Sequence, residues 1–215
     1  MFIELVDALR CPAMHEESWL VLGATRMEGR DVVQGILGCP VCDARYPIDG
    51  GIADLRADSG AAVAPVPAPS FAEPEAEQAM RLAAFLGISD SRGFAVLVGE
   101  WTAHAAGVYA LAETHLLLVN PVAGAPIGAG TSGIITDNRL PIAAASARAL
   151  AVDRTADAAF LARALAGVQA GGRVVAPADI PVPRGVTELA RDAALWVGER
   201  DAPPSGLVSL ARGAR

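Results

Sequence analysis

The sequence predicts an α/β protein: a mostly parallel sheet with helices on its faces, closed by an antiparallel hairpin and preceded by a small cysteine-bearing unit. Three observations predict it. From Glu73 onward, short apolar runs of strand length alternate with helical segments, the order that builds parallel sheets. Within residues 1–56, Cys11, Cys39 and Cys42 sit among short apolar runs broken by Gly and charge, a pattern of antiparallel strands around a metal. Residues 57–72, "ADSGAAVAPVPAPSFA", are rich in Ala and Pro, the composition of an extended, semi-rigid linker. The units are therefore expected at 1–56, 57–72 and 73–215.

Each element has its own signal. "FIELVDALR" carries helical spacing at Ile3, Val6 and Leu9. "SWLVLGATRMEGRDVVQGILGC" reads as antiparallel strands, and "ARYPIDGGIADL" as a Gly-Gly turn followed by a short apolar run. "EPEAEQAMRLAAFLG" reads as a helix with Pro74 in its first turn, acids near its start and Gly87 at its end. "GFAVLVG" and "HLLLV" are buried strands around the helical "WTAHAAGVYALAET". Pro121 to Gly133 is a Gly/Pro loop, followed by strands at Ile134–Thr136 and "RALAV". "TADAAFLARALAGVQAGG" is the clearest helix, with Thr155 as cap and Gly171-Gly172 as its end. "RVVAPA" is a strand and "VTELARDA" a short helix. "ALWVGER" and "GLVSLAR" form the closing hairpin around "DAPPS".

Composition narrows the function classes. The chain has 215 residues, 53% hydrophobic and only 5% aromatic, so the core is built from Ala, Val and Leu. Mean hydropathy is +0.38, yet the most apolar stretch, Gly93 to Val119, is broken by Glu100, His104, Glu113 and His115. No apolar run reaches the roughly 18 residues of a spanning helix. "MFIELVDALR" lacks the basic start of a signal peptide, and a cytoplasmic location is expected. The net charge is -7 and every basic residue is Arg. No basic stripe exists, which disfavours direct nucleic-acid binding, because phosphate neutralisation supplies most of that affinity.

The metal signal lies in Cys11, Cys39 and Cys42. "GCPVCD" gives Cys39 and Cys42 knuckle spacing. After Cys11-Pro12, a second knuckle cysteine is due at position 14, where Met14 stands; His15 follows it and is the obvious fourth ligand. Cys11, His15, Cys39 and Cys42 are thus expected to hold a structural zinc. Four protein ligands leave no open position for catalysis, and the ion would fold a unit too small to stand on its own core. The alternative is a ribbon without metal, with buried thiols and Met14 filling the gap.

"LVDALRCP" followed by "GILGCPVCDARYPIDGGIADL" resembles the small zinc-ribbon activator subunit of tRNA and protein methyltransferases and its bacterial relatives. The resemblance covers about residues 3–56. It rests mainly on Cys39, Pro40, Cys42, Tyr46, Pro47, Ile48 and Gly51-Ile52; Met14 with His15 is the departure. In that family the ribbon binds and solubilises a methyltransferase and does no chemistry itself, so a protein partner is implied.

Residues 73–213 in turn resemble a class I S-adenosylmethionine-dependent methyltransferase, through "TDNRLPIAAASARALAVDR", "LARALAGVQAGGRVVAP" and the terminal hairpin. The implied fold is a Rossmann-like, methyltransferase-type sheet with a C-terminal antiparallel hairpin behind a small zinc-ribbon domain. The implied cofactor positions are Gly99, Glu100, Asn120 and Asp137, and they match poorly. The family's first loop carries an acid and three glycines that let backbone approach the cofactor. "LVGEWTA" keeps only Gly99, with Leu97, Trp101 and Ala103 in the other places. The second strand ends in Asn120 where an acid belongs, and a loop replaces the next helix. Only Asp137 matches, on the adenine side. S-adenosylmethionine binding is therefore not expected.

Gly128-Ala-Gly130-Thr-Ser-Gly133 spells G-x-G-x-x-G, but a strand follows it instead of a helix, so a loop is expected instead of a phosphate site. His104 and His115 have no recognisable triad partners and are expected to be structural. Glu100 could place a carboxylate at the sheet's C-terminal edge, where ligands bind in open α/β folds. The resulting expectation is a pseudoenzyme: a non-catalytic interaction or assembly subunit. The alternative is an active S-adenosylmethionine-dependent methyltransferase.

Overall fold

In the computed structural model of the protein, residues 1–59, 67 and 75–202 are described; most of the Ala/Pro-rich segment and the expected last strand "GLVSLAR" lie outside them. A 3-10 turn at Ile3–Ala8 opens the chain. Four strands follow: β1 (Val21–Glu28), β2 (Asp31–Gly38), β3 (Arg45–Asp49) and β4 (Ile52–Asp54). They form an antiparallel meander, with Val21 opposite Gly38, Leu37 opposite Tyr46 and Ile48 opposite Ala53.

The second part alternates as expected. Helix α1 (Glu75–Phe85) precedes β5 (Phe94–Val98). A 3-10 turn at Gly99–His104 runs into α2 (Ala105–Ala112), then β6 (His115–Val119) and β7 (Thr131–Ile135). β8 (Ala147–Ala151), α3 (Ala158–Ala164), β9 (Val168–Pro177), β10 (Val186–Arg191) and β11 (Leu195–Arg200) complete the described chain.

The strand order is β1-β2-β3-β4-β7-β6-β5-β8-β9-β11-β10. From β7 to β9 the strands are parallel. β11 runs antiparallel between β9 and β10. This is a mostly parallel α/β sheet from β7 onward, with its reversed strand next to the last edge. Both faces of the central strands are covered, so the strands read as continuous apolar runs and not as alternations. Val96, Leu117, Leu150 and Val174 face a core layer shared with Leu5, Leu9, Phe160 and Leu161. Leu97, Leu116, Leu118 and Val175 face the other layer with Leu82, Leu86 and Val108.

β4 is where the first unit meets the second. It pairs in parallel with β7, Ile52 opposite Gly133 and Ala53 opposite Ile134, so the ribbon strands continue the same sheet. No helix connects β7 to β8. The N-terminal segment contacts that connection instead: Leu9 bridges Ile142, the Arg10 amide donates to the Pro141 carbonyl, and the Ala143 amide donates to the Ala8 carbonyl. Between β6 and β7, where the helix is also missing, Ala125 and Ile127 of the loop pack on the core.

Three sequence expectations are corrected. "VTELARDA" is β10, a strand: it pairs with β11 in a hairpin whose turn is set by Asp192, with Oδ1 accepting from the amides of Ala194 and Leu195. The clearest helix stops at Gly167 after a single 3-10 turn, its N-cap being Asp157 and not Thr155. Gly171 and Gly172 lie inside β9, where the register against β8 shifts. β7 starts at Thr131, earlier than expected, which puts Gly133 in mid-strand.

Candidate functional site

The ribbon gathers its four candidate ligands at one point. Cys11 follows the first 3-10 turn, His15 lies in the next loop, and Cys39 and Cys42 belong to the turn after β2. The thiols of Cys11, Cys39 and Cys42 and an imidazole nitrogen of His15 all lie within 4.8 Å of one another. Cys11 Sγ is 3.8 Å from Cys42 Sγ and 3.2 Å from His15 Nε2, which is 3.4 Å from Cys39 Sγ. Tetrahedral bonds of zinc to sulfur and nitrogen imply ligand separations of about 3.8 Å for two sulfurs and about 3.6 Å for sulfur with nitrogen. The side chains therefore fit a Cys3His ion. Met14 does not fill the gap left by the missing cysteine: it is 96% exposed.

The thiols differ in acidity. Burial raises Cys11, against a hydrogen bond from the Tyr46 hydroxyl 3.5 Å away. Burial also acts to raise Cys39, but hydrogen bonds from the backbone of Cys42 and Val41 and from the other two thiols outweigh it and bring it to about 6. Burial and the neighbouring thiols push the Tyr46 hydroxyl up. A thiol poised to ionise among backbone amides is ready for metal, since only the thiolate ligates.

The expected cofactor positions do not converge. Gly99 turns the chain after β5 at φ +60°, and a Cβ there would stand 2.0 Å from Asp153 Oδ2. The Asp153 carboxylate fills the turn. Its Oδ2 accepts from the Glu100 amide at 2.7 Å, and its Oδ1 accepts from the Thr155 amide and hydroxyl. Trp101 lies beside it, with Nε1 donating to the Val152 carbonyl at 3.0 Å. Asn120 follows β6 in a left-handed conformation that Asn tolerates. Its side-chain oxygen accepts from the Thr136 amide at 2.9 Å, so the group expected at a ribose is committed to the backbone of the next strand.

Two cavities open at this C-terminal edge and divide what remains. One, about 360 Å3, is lined by Leu82, Phe85, Trp101 and Leu195 with Glu100 and Arg154. The other, about 410 Å3, lies between the ends of β4 and β7, where Asp137 joins Tyr46, Arg56 and Arg139. Asn120 lines neither. Asp153 and Arg154 were not singled out from sequence. Their signal was position: an acid two residues after a parallel strand lies at the ligand edge of such sheets.

The G-x-G-x-x-G segment serves packing. Gly130 has φ +91°, and a Cβ there would stand 1.9 Å from the Tyr109 ring. His115 stacks on Phe2 at 3.9 Å between ring centroids, and His104 is fully buried. Neither faces a cavity described above.

No protein-family model matches the chain, and no curated protein matches it. Among solved structures it is similar to geranyl diphosphate C-methyltransferase from Streptomyces coelicolor A3(2), crystallised with Mg2+, geranyl-S-thiolodiphosphate and S-adenosyl-L-homocysteine. That match has 16% identity and a TM-score of 0.39 over 46% of this chain and 42% of that one. A second structure of the same enzyme, with geranyl diphosphate, gives 16% identity and 0.39. Protein PH0793 of Pyrococcus horikoshii gives 11% identity and 0.40, over 81% of this chain and 77% of that one. The chain spans less than half the length of the C-methyltransferase. The α/β fold is shown by the strand order itself.

Proposed function

We propose that the chain is a metal-braced, methyltransferase-like protein that does not transfer methyl groups and acts as an interaction or assembly subunit. One observation carries this reading: the seat a cofactor would take after β5 is occupied by the chain's own Asp153, with Trp101 tied across it. An external carboxylate or ribose would have to displace a buried side chain that accepts three hydrogen bonds, and unsatisfied buried donors cost about 1–3 kcal/mol each. The split of the remaining cofactor positions between two cavities supports it further.

Zinc on Cys11, His15, Cys39 and Cys42 would brace the ribbon; it would leave no site for substrate. The pairing of β4 with β7 suggests that the ribbon's methyltransferase-like partner is its own chain. A further protein partner would meet the surface left over. Trp19, 67% exposed on the ribbon opposite Arg10, is the type of side chain that anchors such contacts.

The test is a calorimetric titration with S-adenosylmethionine. Binding should be weaker than about 1 mM, a free energy of less than about 4 kcal/mol. Micromolar binding would overturn the reading and establish the enzyme alternative.

A further inference from the structure

The 360 Å3 cavity between α1, the turn after β5 and the ends of β8 and β9 is small, aromatic and unequally satisfied. Its wall is apolar: Leu82 and Phe85 from α1, Trp101, and Leu195 from β11. Trp101 is fixed by the bond from its indole nitrogen to the Val152 carbonyl. Three charged side chains also line it, besides the buried Asp153, and they fall into two groups.

Arg81 is already engaged, with Asp192 at 3.0 Å and stacked over Phe85 at 5.3 Å. Asp153 is spent on the Glu100 amide and on Thr155. The Glu100 carboxylate and the Arg154 guanidinium are different. Both side chains are exposed, and neither has a partner among the described residues. A pocket of this kind offers one fixed aromatic wall, one free anion and one free cation.

We propose that this cavity binds a free amino acid with a large apolar side chain, of the aromatic or branched aliphatic kind. Arg154 takes its carboxylate, in the forked geometry that guanidinium presents to carboxylates. Glu100 takes its ammonium group. The side chain lies against Trp101, Phe85 and Leu82. The volume is at the low end of small-molecule sites, about 300–1,000 Å3, which suits an amino acid. A nucleoside cofactor would need the adenine and ribose positions as well, and Asp137 and Asn120 lie outside this cavity. Two opposite charges on the lining of an apolar cavity match a zwitterion; a neutral apolar molecule would use neither.

The experiment is calorimetry on the full chain with five probes: L-phenylalanine, L-leucine, 3-phenylpropionate, phenethylamine and S-adenosylhomocysteine. L-phenylalanine or L-leucine should bind saturably. Both single-charge analogues of phenylalanine should bind at least about tenfold more weakly, equivalent to about 1.4 kcal/mol. Glu100→Gln should weaken the amino acid and leave 3-phenylpropionate unchanged. Arg154→Ala should weaken the amino acid and leave phenethylamine unchanged. Both substitutions replace exposed, unpaired side chains, and unaltered thermal unfolding without ligand checks that the fold is intact.

Absence of amino-acid binding up to about 10 mM, a free energy of under about 3 kcal/mol, overturns the proposal. So does equal binding of the single-charge analogues. Both results leave the non-catalytic reading standing. S-adenosylhomocysteine binding that Glu100→Gln and Arg154→Ala abolish would overturn both.

Discussion

Met14 and His15 are neighbours in sequence and have opposite roles in the structure. The methionine at the expected ligand position points into solvent, and the histidine after it turns inward beside three thiols. The imidazole reaches further from the backbone than a thiol, so a ligand moved one position along the loop still arrives at the same point. The consequence is measurable. Protein purified without chelator should carry about one equivalent of zinc, the stoichiometry of a closed four-ligand site. His15→Ala or Cys39→Ser should lower the melting temperature by more than about 5 °C, because metal binding is folding free energy in small ribbons. Zinc-free protein with an unchanged melting temperature would refute the site. At the same scale Asp153 shows how one side chain alters a pocket. It is the residue that turns an open glycine turn into a closed one, and nothing in its local sequence distinguishes it from any acid after a strand.

Among the elements, the largest mismatch between sequence and structure is β10. "VTELARDA" holds Leu189 and Ala190 at spacings compatible with a helix, and its residues are mostly exposed on both sides. Such a segment lacks the period that separates the two states, and pairing with β11 decides it. The loop before β5 illustrates the reverse case, where local charge fixes an element. Asp90 holds Arg92 through Oδ2 and Arg148 through Oδ1, and Arg148 also donates to the carbonyls of Asp90 and Arg92. The Arg92 side chain and amide, followed by Arg148, hold the Asp90 carboxyl well below the usual range. A depressed carboxyl stabilises the fold at pH above its unfolded value near 3.9, and the contribution is lost as pH falls toward the lower folded value. Asp90→Asn should therefore lower the melting temperature at pH 7 and narrow its deficit against the parent protein below about pH 4. A deficit that is the same at both pH values would show that the charge is not what holds the loop.

The whole molecule is built on a shared edge. β4 occupies the side of β7 that would otherwise stand exposed, and an uncovered parallel edge invites pairing with other chains. The N-terminal segment supplies Leu5 and Leu9 to the core layer that also holds Phe160 and Leu161. Residues 1–56 and 75–202 are joined by a strand pairing and a common core as well as by the chain between them. If a protease site inserted after Ser59 is cut, the two fragments should co-elute in size-exclusion chromatography. Burial of Leu5 and Leu9 alone removes two large apolar side chains from water, about 1.5–3 kcal/mol each. Fragments that separate under native conditions would show that the linker, and not the interface, holds the units together.

The sequence by itself determined β5 and β6, because each is buried on both faces and writes a continuous apolar run. It also determined the four candidate metal ligands, because knuckle spacing is a local property of the chain. The tertiary structure alone decided three things. It placed the ribbon on the sheet edge in parallel with β7, since strand partners far apart in sequence leave no local trace. It made β10 a strand, since an exposed segment takes its state from its neighbour. And it closed the turn after β5 with Asp153, since a side chain more than fifty positions away reaches that amide only when β5 and β8 lie side by side.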